Sequence, residues 1–190
     1  MMIMKTTKSL AVAALAALTV LSCSGELTNN AAPVELVVTH EQTIGLIDIA
    51  PNTDPDCDQE LGTITMRLIP KNSSATGNLV QVRVTRYRVS YRRTDGGTLV
   101  PSPYVRAIDT LVGVGAGTSA TFRVFEAGAL AQAPFAALLP QNGGRDPETL
   151  RPFVRLDVVL EVFGETLAGD NVYDSTMIPL EFCYNCGGCS

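Results

Sequence analysis

The sequence has no tryptophan, a single histidine and an aromatic content of only 6% across its 190 residues. With His40 alone, no serine or cysteine nucleophile can be paired with a base from sequence context. A Ser-His-Asp arrangement therefore has no support, and His40 reads as an exposed residue near a strand end. Beyond residue 22 no apolar run approaches the ~20 residues of a membrane span. The longest, Gly128 to Pro140, is broken by Gln132 and Pro134. Basic excess is missing too: 14 Lys and Arg against 19 Asp and Glu leave a net charge of −5, which argues against nucleic acid, whose binding footprints are basic. Helical periodicity is nearly absent, and there is neither an internal repeat nor a low-complexity tract.

The first two dozen residues do carry a pattern. Lys5 and Lys8 precede an apolar run from Leu10 to Leu21, which ends in Ser22, Cys23 and Ser24. A basic start, an apolar core of this length and small residues at the end are the parts of a secretion signal. The residues Val20-Leu21-Ser22-Cys23 resemble the lipobox of bacterial lipoproteins, with Val at position minus three where Leu is commoner. The resemblance implies cleavage before Cys23, lipidation of that cysteine and anchoring to a membrane. Ser24 in place of an aspartate implies the outer membrane. An acylated cysteine of this kind exceeds the two-chain minimum for stable anchoring. Residues 1–22 are thus expected to be a signal peptide, and 23–33 a lipidated flexible tether. Residues 34–190 are expected to form a single domain of a length suited to a real core. Cleavage removes two basic residues and no acidic ones, which leaves seven net negative charges.

Six segments carry β-branched and aromatic residues between Gly, Pro, Asn or Asp clusters: Val34 to Thr39, Gly62 to Ile69, Leu79 to Arg93, Ser119 to Phe125, Phe153 to Phe163 and Asn171 to Phe182. In the fifth, Val154, Leu156, Val158, Leu160 and Val162 share one face, and Arg155, Asp157 and Glu161 the other. The sixth places Val172, Thr176, Ile178, Leu180 and Phe182 together, and the turn 164–170 makes the two a hairpin. In the third, inward parity switches from Val80, Val82 and Val84 to Tyr87, Val89 and Tyr91. A strand keeps its parity unless a residue is inserted, so a bulge is predicted near Thr85-Arg86. Thr94-Asp95-Gly96-Gly97 then predicts a tight turn. Residues 126 to 147, rich in Ala, Leu, Pro and Gly, read as a long loop holding one helical turn. The whole predicts an all-β, antiparallel β-sandwich of about seven or eight strands. The closing pattern of apolar strand, Gly-rich turn and apolar strand resembles the end of an immunoglobulin-like or fibronectin-like domain.

Four cysteines remain after Cys23: Cys57, Cys183, Cys186 and Cys189. In an exported protein an even set reads as disulfides, with three pairings open. A bond from Cys57 to the terminal cluster would close a loop of about 130 residues, worth roughly 4–5 kcal/mol in the loop-entropy model. The same four thiolates have spacing for zinc or an iron–sulfur cluster, an alternative that an oxidising compartment disfavours. Neither Cys-x-x-Cys is followed by His, so covalent haem is excluded on the motif. A thioredoxin-like pair would stand at the start of a helix after a strand, and here the sequence simply ends.

Three further constellations carry polar or glycine-rich chemistry. Asp54, Asp56, Asp58 and Glu60 form an oxygen-rich loop of the kind calcium prefers, but without the glycine or length of an EF-hand. A solvated acidic loop is the simpler reading. Arg86, Arg88 and Arg92 share strand parity and suggest a basic stripe for phosphate or carboxylate groups, although solvent-facing strand positions need polar residues in any case. Gly113-Val-Gly115-Ala-Gly117 lacks the surrounding βαβ unit of a nucleotide loop and reads as a bend. The sequence thus predicts a non-enzymatic, lipid-anchored binding or structural module of the cell envelope, with no cofactor. Its partners would be the membrane and envelope proteins or glycans. The alternatives are a metal or redox module using the four cysteines, and an envelope enzyme working through Asp56 and Asp58.

Overall fold

A computed structural model describes residues 31–40, 45–50, 61–115, 117–126 and 128–187. Cys23 and its lipobox, the loop of Asp54, Asp56, Cys57, Asp58 and Glu60, and Cys189 lie outside the described residues. The described chain forms eight strands: β1 (Val34–Thr39), β2 (Gly45–Asp48), β3 (Leu61–Pro70), β4 (Val82–Arg93), β5 (Tyr104–Val112), β6 (Thr118–Arg123), β7 (Phe153–Thr166) and β8 (Asn171–Cys183). They make a three-stranded sheet, β1-β3-β6, and a five-stranded sheet, β2-β8-β7-β4-β5. This is a two-sheet, all-β architecture consistent with a sandwich, its larger sheet curled like half a barrel.

Alternation builds the core. On β7 Val154, Leu156, Val158, Leu160 and Val162 are buried, and on β8 Val172, Ile178, Leu180 and Phe182 are buried beside them, as predicted. The two pair from Phe153 opposite Cys183 to Glu165 opposite Asn171. Val34, Leu36, Val38, Ile64, Met66 and Leu68 supply the facing side from β1 and β3. The connections β3 to β4 and β5 to β6 change sheet, whereas β4–β5 and β7–β8 connect neighbours within the larger sheet.

The predicted bulge is present. Register shifts between Val84 and Arg86 against both neighbours: against β7 Thr85 is the extra residue, while against β5 it faces both Ile108 and Asp109, and Tyr87 and Val89 turn inward after it. Gly164 lies opposite Val84, and a Cβ there would come within 2.9 Å of the Arg83 carbonyl oxygen; the glycine lets the strands close over the bulge.

Three expectations need correction. Leu79 lies outside β4: residues Asn78–Val80 form a 3₁₀ turn, and the strand begins at Val82. Thr94 to Gly97 opens a ten-residue excursion to β5 instead of a tight hairpin turn, because Asp95 folds inward and is buried. The long loop holds three 3₁₀ turns, at Ala129–Ala131, Phe135–Leu138 and Pro140–Asn142, where one helical turn was expected.

Two ends of the sandwich follow from the registers. Val34 opposite Pro70 and Val82 opposite both Val112 and Thr166 mark one end. Leu68 bridges Val114 there, which ties the two sheets together. The other end carries the loops 94–103 and 124–152 and the C-terminus of β8. We refer to them as the entry pole and the loop pole.

Candidate functional site

Residues that interrupt strand alternation collect at the loop pole. Phe125 and Phe135 leave the strands and plug the open end of the sandwich. Phe125 meets Phe182 edge-on at 5.5 Å and Phe135 at 5.7 Å, and stacks on Tyr91 at 5.4 Å. Phe125, Phe135 and Phe182 are fully buried, so two residues of this loop belong to the core.

Beside this plug lies a buried ionic cluster. Arg93, at the end of β4, bonds Asp95 through Nε and Nη2 at 2.7 and 2.9 Å, and Asp146 through Nη2 at 2.9 Å. The side chains are 1%, 0% and 0% exposed. Both carboxylates also accept backbone N–H groups: Asp95 from Gly97 and Arg155, Asp146 from Thr149, whose hydroxyl donates as well. Burial pushes both carboxyls up, but the hydrogen bonds from Arg93 and from these donors outweigh it and hold both below the ordinary aspartate value. Glu148 clamps the same loops by accepting from the Thr98 hydroxyl and the N–H groups of Thr98 and Leu99. Strand β4, loop 94–103 and loop 124–152 are thereby fastened into one platform.

The C-terminal motif sits at the same pole. Cys183 and Cys186 are joined by a disulfide, with Cα atoms 5.9 Å apart. This bond spans a four-residue loop, so by itself it does not close the ~130-residue loop envisaged for Cys57. The end of β8 is pinned instead by β2, which pairs parallel to Leu180 through Cys183, and by Asp48. That aspartate, 2% exposed, accepts the N–H groups of Ala50, Asn185 and Cys186 at 2.9 Å each and so braces the turn that contains the disulfide. A bonded pair of sulfurs offers no thiolate to a metal, so the four-cysteine metal alternative would require this bond to be reduced.

The arginine stripe exists in place, but two of its three charges are paired. Arg88 forms a bidentate pair with Glu161 of β7, Arg92 bonds Asp157 at 2.7 Å, and Arg86 stands 4.9 Å over the ring of Phe163. Arg83–Asp109 and Arg155–Glu181 extend the pattern to β5 and β8. Carboxylates thus offset Arg88 and Arg92, while Arg86 keeps its charge against an aromatic ring, so the stripe does not present three uncompensated guanidiniums. Gly113, Gly115 and Gly117 lie between β5 and β6, with Val114 bridging to β3. His40 follows β1 and is half-buried, not exposed.

A hollow of about 130 Å³ opens on the loop pole between Tyr91, Pro101, Ser102, Glu126 and Gln132. Drug-sized ligands occupy pockets of roughly 300–1,000 Å³, so this is a dimple in a surface. Its only carboxylate, Glu126, is paired with Arg106 at 3.0 Å. Tyr91 donates to the Val124 carbonyl oxygen at 2.8 Å, and burial raises its hydroxyl well above the ordinary tyrosine value, so it stays a neutral donor.

Sequence reasoning missed Asp48, Asp95 and Asp146. Only the Asp-Gly and Asp-Pro turn signals marked two of them, and nothing local indicates that Arg93 joins them. No protein-family model matches the chain, and no curated protein matches it.

Proposed function

We propose that this protein is a lipid-anchored, non-catalytic binding module of the cell envelope, cleaved before Cys23, carried by the outer membrane, and presenting its loop pole to a protein or glycan partner. The observation that carries the reading is polarity. The chain enters the sandwich at Val34 on the entry pole, while the fastened platform of loops 94–103 and 124–152 lies at the opposite end. Loops held by a rigid scaffold are where recognition by sandwiches concentrates. The saturated ion pairs support a non-catalytic role: Asp95, Asp146, Glu126 and Glu161 each already hold an arginine.

The same reading takes the fold as immunoglobulin-like, in the fibronectin-like manner. Its support is the crossing of the first strand between sheets: β1 pairs antiparallel to β3, and β2 then pairs parallel to β8.

The test is expression of the full chain in a bacterium, followed by intact mass and membrane fractionation beside the Cys23→Ala variant. The expected result is a mature chain starting at Cys23, carrying lipid mass, in the outer-membrane fraction, with the variant unlipidated and released. A soluble, unlipidated wild type would overturn the anchor. Binding is read by crosslinking envelope components from Leu99 or Leu150, both exposed at the loop pole. Partner capture there, and none from Met177 on the outer face of the larger sheet, is the expected pattern.

A further inference from the structure

The entry pole carries exposed leucines that the core does not use. Leu79 is 65% exposed, Leu111 51% and Leu167 46%. They are held close in the fold. Leu79 stands in the 3₁₀ turn just before Gln81, whose carbonyl oxygen accepts the N–H of Leu167 at 2.9 Å. Leu111 lies opposite Arg83 on the neighbouring strand. Single exposed leucines need no explanation. What sets these apart is that they stand where the chain enters: Val34 pairs with Pro70, and the Pro33 carbonyl oxygen accepts the N–H of Lys71 at 3.0 Å.

The connecting chain then limits orientation. Cys23 and Val34 are eleven residues apart, a reach of at most ~36–40 Å when fully extended. β7 runs the length of the sandwich with 14 residues, roughly 45 Å at strand rise. With lipid on Cys23, the loop pole cannot face down onto the same membrane, because the entry pole would then stand beyond the reach of the tether. Lying on a side is disfavoured by what the sides present. The outer face of the larger sheet sets its exposed Val105 and Met177 apart among Arg–carboxylate pairs, and the outward row of β3 is Thr63, Thr65, Arg67 and Ile69. The entry pole offers the apolar surface that the tether brings nearest to lipid.

We propose that Leu79, Leu111 and Leu167 seat the entry pole in the headgroup layer of the membrane that holds Cys23. This rests on the lipoprotein reading above. The charges bordering the leucines are of both signs: Lys71 and Arg83 against Asp109, Glu165 and Asp170, with Arg83 and Asp109 bonded to each other at 2.8 Å. Seating is therefore driven by apolar burial and does not need anionic lipid. Three leucines would not hold a soluble domain on a bilayer. Once the anchor makes the contact intramolecular, even a weak insertion sets orientation.

The absence of tryptophan makes the test direct. Leu79→Trp, Leu167→Trp and, as a loop-pole control, Leu150→Trp each place one fluorophore in the full lipidated chain. Each is reconstituted into phosphatidylcholine vesicles with and without brominated acyl chains. The expected result is blue-shifted emission, quenched at least two-fold by bromine, for the two entry-pole variants, and solvent-like, unquenched emission for Leu150→Trp. Equal, solvent-like emission from all three overturns the proposal. Intact mass of the same samples reads the anchor separately: lipid present without quenching sinks the seating alone, whereas absent lipid sinks the anchor and the seating with it. Near-identical circular dichroism and thermal midpoints exclude misfolding as the cause.

Discussion

Arg92 and Arg93 are neighbours on β4, and each meets an aspartate at 2.7 Å, yet they sit in different worlds. The Arg92 side chain is 63% exposed and its partner Asp157 15%; Arg93 and Asp95 are 1% and 0%. On the outer face the attraction is spread through water and each pair is replaceable. At the loop pole the two carboxylates and the guanidinium have given up their water, and they are tolerable only together. The cluster is also not exchangeable for an apolar trio, because Asp95 and Asp146 satisfy backbone N–H groups of Gly97, Arg155 and Thr149 that would then be orphaned.

The largest effect is therefore expected from Arg93→Ala. It strands two buried carboxylates at once, and about 5 kcal/mol of stability should be lost, the upper end for breaking a buried pair. Urea titration of the purified protein reads it, and a loss under 1 kcal/mol would show that the two environments do not differ as argued. Phe135→Ala attacks the same platform through its apolar half. Removing a fully buried ring that touches Phe125 and Phe182 should cost about 3–4 kcal/mol. If loop 124–152 were only loosely laid on the sandwich, the cavity would collapse and the cost would shrink.

Acid sharpens the comparison from another side. Asp95 and Asp146 titrate below their ordinary value in the folded protein. A depressed carboxyl contributes stability that is fully present above its unfolded value near 3.9 and is lost as pH falls through the lower folded value. The denaturation midpoint should thus drop steeply below about pH 4, and Asp146→Asn, already weaker at neutral pH, should show a shallower drop. An unchanged slope in that variant would place the acid sensitivity elsewhere.

Much of the strand framework was legible because burial on one face leaves a period-two trace. The parity switch from Val84 to Tyr87 located the bulge to the Thr85-Arg86 pair, and the β7–β8 hairpin could be read with its inward faces. Two strands left no such trace. β2 has only four residues, Gly45 to Asp48, and is defined by its parallel partner β8. β5 is an edge strand whose inward row mixes Tyr104 and Ile108 with Arg106 and Thr110, so alternation does not separate apolar from polar. The buried cluster was illegible for a different reason. Arg93 and Asp146 are 53 residues apart and join only after loop 124–152 has docked. The partners of Arg88 and Arg92 were illegible in the same way, since Glu161 and Asp157 come from another strand.

The smallest effect is expected from Arg92→Ala, and it tests the other half of the comparison. Arg92 loses one bond to Asp157 and a 3.6 Å contact to the Met177 sulfur, both at the water boundary. The cost should stay below about 1 kcal/mol, because water replaces the lost partner and the freed side-chain entropy offsets part of the bond. Salt discriminates further: raising ionic strength should erase that small difference and leave the Arg93→Ala deficit nearly intact, since exposed charges are screened and buried ones are not. A loss of 3 kcal/mol from Arg92→Ala, insensitive to salt, would mean that the surface pairs act as one coupled network across β4, β7 and β8. The outer face would then have to be counted with the buried cluster among the elements that hold the larger sheet together.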